Sequence, residues 1–244
     1  MKSVLITGAN RSIGLETAKQ LSEKGLFVYL GSRSLENGKA VVKELNENGF
    51  QNIKAIQIDV TKPDSVLEAK NTIDKEQGKL DILINNAGIL GISPQPASDT
   101  AVENIKEIFE TNFFGVISVT QQFLELLKKS DSPIISNITS GLASLTLHSD
   151  PDWKYYPFKT AGYGTSKAAL NAYTIALAHE LKDTFRVNVI DPGYTATDFN
   201  HHSGPGTIES AATFIIKHTL TDENGPTGKF FSNDIEDESG ISPW

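Results

Sequence analysis

Short apolar runs alternate with longer amphipathic segments along most of the chain. The amphipathic segments place apolar residues at helical spacing, and several of them end near a glycine. Apolar strands separated by helices are typical of a parallel sheet that is buried on both faces. The pattern therefore predicts an α/β fold, a doubly wound parallel sheet with helices on both faces. The predicted strands cover residues 4–7, 27–31, 53–59, 82–85, 134–138, 186–190 and 228–231, and the first predicted helices cover 13–23, 34–48, 64–77 and 101–129.

The length and charge of the chain limit its organisation and its partners. A chain of 244 residues fits one α/β domain. The 22 lysines and arginines against 30 aspartates and glutamates give a net charge of −8, which disfavours nucleic acids and anionic membranes as partners. The absence of cysteine excludes disulfides, a cysteine nucleophile and thiolate metal sites. No apolar run approaches the ~20 residues of a membrane span, and we expect a cytoplasmic protein.

The first predicted strand runs through a glycine-containing turn directly into a helix. A helix N-terminus presents free N–H groups and the positive end of its dipole, and glycine lets the backbone approach a pyrophosphate closely. A turn of this kind also occurs as a plain connection between strand and helix. As a phosphate site it would consist of Gly8, Asn10, Arg11, Ser12, Ile13 and Gly14.

A tyrosine and a lysine stand four residues apart in a later helical segment. Tyr163 and Lys167 therefore share one helix face. A nearby ammonium favours the phenolate, so Lys167 is expected to lower the pKa of Tyr163 and make it a proton donor and acceptor. The same spacing is also common in ordinary surface packing.

Four motifs occur in the order seen in short-chain dehydrogenases/reductases, which this chain resembles over nearly its whole length. They are the turn Thr7–Gly14, Asn85-Asn86-Ala87-Gly88, the Tyr163 and Lys167 pair, and Asp191-Pro192-Gly193. The chain is most similar to the carbonyl-reductase branch. The resemblance implies a Rossmann-like sheet of about seven strands in the order 3-2-1-4-5-6-7. It also implies one domain, 1–244, with a cofactor-binding part at about 1–138 and a catalytic and substrate-loop part at about 139–244.

The resemblance also implies roles for individual residues. Ser140 orients the substrate carbonyl, with Thr139 as a competing assignment, and Tyr163 gives the proton. Lys167 assists the tyrosine and holds the nicotinamide ribose, and Asn112 anchors a water in the proton relay, although Asn112 also fits a helix kink. The further implied cofactor contacts are Asp59, Val60, Asn85, Ala87, Gly88, Pro192, Gly193, Thr195 and Thr197.

The end of the second strand bears on which nicotinamide cofactor is bound. An acidic residue there would bind a ribose 2′-hydroxyl, whereas an arginine accommodates a 2′-phosphate. The sequence offers Ser32 and Arg33, with Arg11 in the glycine turn and no carboxylate before Glu36. We therefore expect NADP(H) in preference to NAD(H), the alternative being that both arginines only face solvent. Ser12 replaces the middle glycine of the family's turn, so a weakened or retuned cofactor affinity is expected.

The substrate pocket is the least constrained part of the sequence. Residues 144–162 carry many aromatic side chains without periodicity and are predicted to form a loop. These aromatics fit a pocket for an apolar substrate, and equally a sheet edge or subunit contact. His201 and His202 fit a solvated loop, so no metal site is predicted, and residues 234–238 fit a solvated tail or turn. The predicted pocket residues are Leu142, Trp153, Tyr156 and Phe199.

The function predicted from these residues is an NADPH-dependent carbonyl reductase acting on a small-molecule ketone or aldehyde, or on the corresponding alcohol. The alternatives are a 3-oxoacyl-carrier-protein reductase, which the acidic charge disfavours, and a non-catalytic dinucleotide-binding sensor or scaffold. A homo-oligomer, dimer or tetramer, and a monomer are both compatible with the sequence.

Overall fold

A computed structural model describes residues 1–221, 224–235 and 237–244. Its centre is one seven-stranded sheet in which every pair of neighbouring strands is parallel. The strand order is β3-β2-β1-β4-β5-β6-β7, which confirms the predicted fold class and order. The strands are β1 Ser3–Ile6, β2 Phe27–Ser32, β3 Ile53–Gln57, β4 Ile82–Asn85, β5 Ile134–Ile138, β6 Arg186–Asp191 and β7 Phe230–Ser232.

Helices cover both faces of the sheet, as predicted. In β1, Leu5 joins a core cluster with Phe123 and Leu177, whereas Val4 and Ile6 join a second cluster on the opposite face. This division follows from the alternation of side chains along a strand. The helices are α1 Ser12–Glu23, α2 Leu35–Glu47, α3 Pro63–Gln77, α4 Val102–Phe109, α5 Gly115–Leu127, α6 Leu145–His148, α7 Tyr163–Leu181 and α8 Ile208–Thr219.

The predicted helix 101–129 differs from the structure in its middle. A π-helical segment, Glu110–Phe114, separates α4 from α5, and Asn112 lies at its centre. Wide i→i+5 turns of this kind occur frequently at functional sites. The irregularity that the sequence suggested at Asn112 is thus an inserted π turn.

Three predicted segments need correction. Strand β3 stops at Gln57 because the N–H of Asp59 donates to the Ser65 side chain and leaves the sheet ladder. Residues 144–162, called the aromatic segment below, were predicted to form a loop. They contain the short helix α6, whose N-cap Ser144 accepts from the N–H of Leu147. Asp234, expected in a solvated turn, is partly buried. Glu236 of the same segment lies outside the described residues.

The last residues pack against both the sheet and the aromatic segment. Ser242 N–H donates to the Phe230 carbonyl at 2.8 Å, and the ring of Trp244 lies 5.6 Å from that of Phe230. The Ser144 hydroxyl donates to the Pro243 carbonyl. This segment therefore connects β7 to the start of the aromatic segment. In the part of the chain that the structure describes, no helix has the length and apolar character needed to cross a membrane.

Candidate active site

A cavity of about 860 Å³ opens along the carboxyl ends of the strands. Strand order reverses between β1 and β4, and open α/β sheets bind ligands at such a switch point. The cavity extends from the ends of β2 and β3, past this point, to the end of β6 and the aromatic segment. One continuous space therefore joins the predicted cofactor and substrate regions.

The glycine turn forms the wall of the cavity between β1 and α1. Gly8 and Ser12 both have left-handed backbone conformations, with φ of +63° and +53°. A Cβ on Gly14 would lie 2.6 Å from the Asn86 side-chain nitrogen and 2.8 Å from the Gly8 carbonyl oxygen, so only glycine fits there. All six predicted turn residues line the cavity: Gly8, Asn10, Arg11, Ser12, Ile13 and Gly14.

Asn86 fixes the shape of this turn. Its side-chain amide donates to the carbonyls of Thr7, at 2.9 Å, and Gly8, at 3.1 Å. The Thr7 hydroxyl accepts in turn from the N–H groups of Asn86 and Ala87, both at 3.0 Å. Asn86 belongs to the motif Asn85-Asn86-Ala87-Gly88 but was not among the predicted cofactor contacts.

Asn85, predicted to line the cofactor cleft, does not reach it. Its amide donates to Thr120 at 3.1 Å and to Asn137 at 2.8 Å inside the protein. Adjacent residues at a strand end point to opposite faces, and here Asn86 is the one that faces the cavity. Ala87 and Gly88 line the cavity as predicted.

The end of the cavity beside β2 and β3 is polar and carries two exposed arginines. Ser32, Arg33 and Arg11 all line it. Asp59 and Val60 line it too, and the Asp59 carboxylate accepts from the N–H and hydroxyl of Thr61. Although burial opposes the charge, these hydrogen bonds hold the pKa of Asp59 below its ordinary value. This end therefore offers both cationic and acceptor groups.

Ser140, Tyr163 and Lys167 come together near the opposite end. Ser140 follows β5, and its side chain hydrogen-bonds that of Tyr163 at the start of α7. The Lys167 ammonium lies 6.0 Å from the centre of the Tyr163 ring and donates to the Ile138 carbonyl at 2.8 Å. The structure thus brings a phenol, a hydroxyl and an ammonium group to one wall.

The ionisation of this group differs from the prediction. Burial and the charge of Asp191 raise the pKa of Tyr163 above its ordinary value, whereas Lys167 was expected to lower it. Burial also lowers the pKa of Lys167 to about 8, because a low-dielectric environment disfavours either charged form. The Lys167 ammonium hydrogen-bonds the Ile138 carbonyl and does not lower the pKa of Tyr163.

Thr139 and Asn112 are both buried, and Thr139 lines the cavity whereas Asn112 does not. The Thr139 hydroxyl donates to the buried Asn171 side chain at 2.7 Å, so Ser140 is the better candidate. Asn112 is fully buried and binds the backbone N–H and C=O of Ile89 and the Ser166 hydroxyl. It lies behind Gly88, where Lys167 is also in contact range. Its role in a water relay stays a prediction.

The substrate end of the cavity differs from the prediction in two residues. Leu142 and Phe199 line it, and Phe199 packs edge-on against Tyr163 at 5.5 Å. Trp153 instead packs between the rings of His148 and Tyr155, and Tyr156 lies beneath the Lys159 ammonium at 3.9 Å. Neither Trp153 nor Tyr156 lines the cavity. The aromatic residues that do are Tyr155, Phe158, Tyr163, Tyr194 and Phe199.

The segment after β6 completes the wall with Pro192, Gly193, Thr195 and Thr197, as predicted. Three carboxylates beside it were missed: Asp191 at the end of β6, Asp198 directly after Thr197, and Asp234 after β7. Asp234 pairs with Lys154 at 3.7 Å. Asp191 belongs to a motif that the sequence had shown, but no property of the sequence indicated that its side chain faces the cavity.

Comparisons with known proteins agree with this architecture. Residues 2–207 match the family described as "short chain dehydrogenase". Salutaridine reductase from Papaver bracteatum is 31% identical over 293 aligned positions that cover 95% of this chain and 94% of that protein. The structure of salutaridine reductase from Papaver somniferum aligns with a TM-score of 0.84 and 29% identity over 96% of this chain and 100% of its own. The structure of ElxO with NADP bound aligns with a TM-score of 0.81 and 26% identity, over 95% and 96% of the two chains.

Proposed function

This chain belongs to the short-chain dehydrogenase family of oxidoreductases, and we propose that it is an NADPH-dependent carbonyl reductase. Its substrate would be a small-molecule ketone or aldehyde, reduced reversibly to the alcohol. The observation that carries this proposal is the meeting of Tyr163, Ser140 and Lys167 in a cavity whose other end bears Arg11 and Arg33.

The residues of the cavity fit a dinucleotide. Gly14 leaves a space that a Cβ would close, and the start of α1 directs free N–H groups toward any phosphate held there. Arg11 and Arg33 provide fork-shaped donors suited to a 2′-phosphate, at a strand end that has no acidic residue. The bound NADP of the similar ElxO structure also supports this choice. Within one domain, residues 1–138 would supply most of these contacts.

The catalytic residues then have separate tasks. When bound, the nicotinamide supplies the hydride. Tyr163 donates its proton to the carbonyl oxygen, and the Ser140 hydroxyl stabilises the charge that develops on this oxygen. Lys167 holds the nicotinamide ribose. Asn112 fixes Ile89 and Gly88 in the floor beside them. The aromatic residues around Tyr155 and Phe199 exclude water from the substrate.

The first test compares the wild type with Tyr163→Phe. Both would be assayed for NADPH and NADH oxidation with ketones, aldehydes, diketones and one 3-oxoacyl thioester. Loss of the proton donor should lower kcat by about 10²–10⁴-fold, while the melting temperature and the Kd for NADPH stay near the wild-type values. Preference for the thioester would instead support a 3-oxoacyl reductase. NADPH binding without any turnover would support a sensor.

The cofactor preference has its own test. Arg33→Ala and Arg11→Ala should each raise the KM for NADPH by about tenfold or more, because a charge-assisted hydrogen bond contributes about 1.5–3 kcal/mol. The KM for NADH should hardly change. Lys43→Ala, which removes an exposed cation from α2 outside the cavity, is the matched control. Equal effects on both cofactors would contradict a 2′-phosphate site.

A further inference from the structure

Gln95 is a buried amide of the cavity wall that takes no part in the proposed reaction. It lies in the connection between β4 and α4, and only 3% of its surface is exposed. Its side-chain N–H donates to the Leu90 carbonyl at 2.7 Å. Its side-chain oxygen accepts from the N–H groups of Gly162, at 3.1 Å, and Tyr163, at 2.9 Å. Burying an amide is costly unless hydrogen bonds replace those to water, and both ends of this amide have partners.

The side-chain oxygen of Gln95 binds the start of the helix that carries the phenol. Helix α7 begins at Tyr163, and the first N–H groups of a helix have no partner within it. The backbone carbonyl of Gln95 also accepts from the N–H of Ala161 at 3.0 Å. Three successive N–H groups, of residues 161–163, therefore donate to one residue. Gln95 thereby fixes the backbone from which the Tyr163 side chain extends into the cavity.

The glycine directly before Tyr163 makes this contact possible. A Cβ on Gly162 would lie 3.2 Å from the side-chain oxygen of Gln95 and 2.5 Å from the Cδ1 of Ile108 on α4. The φ of Gly162 is −99°, a value open to any residue. The position therefore requires glycine because of the space that a side chain would fill, and not because of its backbone conformation.

The connection after β4 holds Tyr163 by a second path as well. The Tyr163 carbonyl accepts from the Ser166 hydroxyl at 2.7 Å, and this hydroxyl accepts in turn from the Asn112 amide at 3.1 Å. Asn112 binds the backbone of Ile89, and Gln95 binds the carbonyl of the next residue. Both of these backbone residues line the cavity. The N–H and the C=O of Tyr163 are therefore both attached to the same stretch of the cavity wall.

We propose that Gln95 is a positioning residue for Tyr163, whose side-chain oxygen fixes the start of α7 against the cavity wall and so places the phenol beside Ser140. The inference rests on the proposed function in that Tyr163 is taken as the proton donor. A proton donor must come within about 2.6–3.2 Å of its acceptor, and a displacement of about 1 Å can lower a rate about 10²-fold. Loss of Gln95 should therefore slow the chemical step more than it weakens cofactor binding.

The test uses Gln95→Met, which keeps the length of the side chain but removes the acceptor. Its kcat for ketone reduction should fall by about tenfold or more, while its Kd for NADPH stays within about twofold of the wild-type value. Gln95→Glu keeps an oxygen for both N–H groups, and when protonated it also keeps a donor for Leu90, so it should restore most of the lost kcat. Gly162→Ala closes the space that Gln95 uses and should lower kcat as Gln95→Met does.

Asn104→Leu is the matched control. It removes another buried amide that holds the same connection, but one that binds the N–H and C=O of Ile92. Both Gln95→Met and Asn104→Leu leave backbone groups without a partner and should lower the melting temperature. Only Gln95→Met should lower kcat by about tenfold or more. An unchanged kcat in Gln95→Met, or an equal loss in Asn104→Leu, would overturn the inference.

An NMR measurement without substrate separates this inference from the proposed function. Tyrosines would be isotope-labelled at the ζ carbon, and the signal of Tyr163 assigned by its absence from Tyr163→Phe. In Gln95→Met this signal should shift, because the phenol loses its hydrogen bond with Ser140, whereas in Gln95→Glu and Asn104→Leu it should stay in place.

An unchanged Tyr163 signal in Gln95→Met would overturn the inference whether or not a carbonyl substrate is found. A shifted signal in a protein whose wild type reduces no carbonyl would support the inference and contradict the proposed function. Should Gln95→Met not fold, Gly162→Ala serves for the same measurement.

Discussion

Ser12 has a backbone conformation that its side chain disfavours. Its φ of +53° lies in the left-handed region, where a Cβ costs about 1–2 kcal/mol. Ser12→Gly should therefore raise the free energy of unfolding by about 1 kcal/mol, less the entropy that glycine gains in the unfolded chain. Urea unfolding of the cofactor-free protein measures this change. Strained residues of this kind concentrate at functional sites, and Ser12 lines the cavity at the phosphate turn.

The hydroxyl of Ser12 can be tested separately from the strain. Ser12→Ala keeps the Cβ and its strain but removes the hydroxyl, so it should leave stability unchanged within about 0.5 kcal/mol. If the hydroxyl binds a phosphate, both variants should have a higher Kd for NADPH and for NADH in a binding titration, by a similar factor for the two cofactors. If both variants bind as tightly as the wild type, Ser12 contributes no cofactor contact.

Sequence reasoning at the residue scale was limited by side-chain direction. The motif Asn85-Asn86 placed two amides at the end of β4, and only the structure shows that Asn86 faces the cavity while Asn85 binds Thr120 and Asn137. A shift of one residue at a strand end exchanges the two faces. For the same reason, the sequence identified Asp191 as part of a motif but did not show that its side chain lines the cavity.

At the scale of elements, two asparagines hold one connection in place. Asn112 in the π segment binds the N–H and C=O of Ile89, at 2.8 and 2.9 Å, and Asn104 in α4 binds those of Ile92, both at 2.9 Å. The chain after β4 is thereby fixed against α4 and the π segment. A buried donor or acceptor left without its partner costs about 1–3 kcal/mol.

The two asparagines form a matched pair for mutation. Asn112→Leu and Asn104→Leu should each lower the free energy of unfolding by about 2 kcal/mol, measured by urea denaturation. Only Asn112 lies behind Gly88, beside Lys167. Asn112→Leu should therefore also lower kcat, by at least tenfold, whereas Asn104→Leu should change it less than twofold. Equal losses of kcat in both variants would reduce Asn112 to a structural role.

The elements themselves could be predicted except where their regularity breaks. Apolar spacing continues across residues 101–129, so the sequence predicted one helix, although the chain inserts a π turn at Glu110–Phe114. One extra residue in a turn hardly changes the spacing of apolar residues. The aromatic segment lacks any period, and so the sequence could not distinguish Tyr155 and Phe158, which line the cavity, from Trp153 and Tyr156, which do not.

At the scale of the whole molecule, the fold follows from two properties of the strands: their side chains alternate between the two faces of the sheet, and both faces are buried. Neighbouring residues of β1 enter different core clusters, so both faces of the sheet are covered, as is typical of the parallel sheet that the sequence predicted. Long-range attachments were not visible in the sequence. One of them places the last residues on Phe230 and Ser144, and another buries His218.

His218 makes the stability of the whole molecule depend on pH. It lies on α8 and is 7% exposed. Its ring stacks on Phe231 at 4.1 Å and packs at a tilt against Phe214 at 4.4 Å. Among the described residues, its Nε2 has no hydrogen-bond partner. Burial and the nearby Lys217 lower its pKa to about 4. In the unfolded chain a histidine has a pKa of about 6.5. Between about pH 4 and pH 6.5, His218 is therefore protonated in the unfolded state and neutral in the folded state.

The stability that depends on neutral His218 is therefore complete above about pH 6.5, falls as the pH falls and stops falling near pH 4. From about pH 7 to about pH 5 this one group should lower the free energy of unfolding by about 2 kcal/mol. In His218→Leu the decrease over the same interval should be smaller by that amount. His179→Leu changes an exposed histidine on α7. Its free energy of unfolding should decrease over this interval as much as that of the wild type. If His218→Leu follows the wild-type curve, acidic and other basic groups control the acid stability, and the buried imidazole does not.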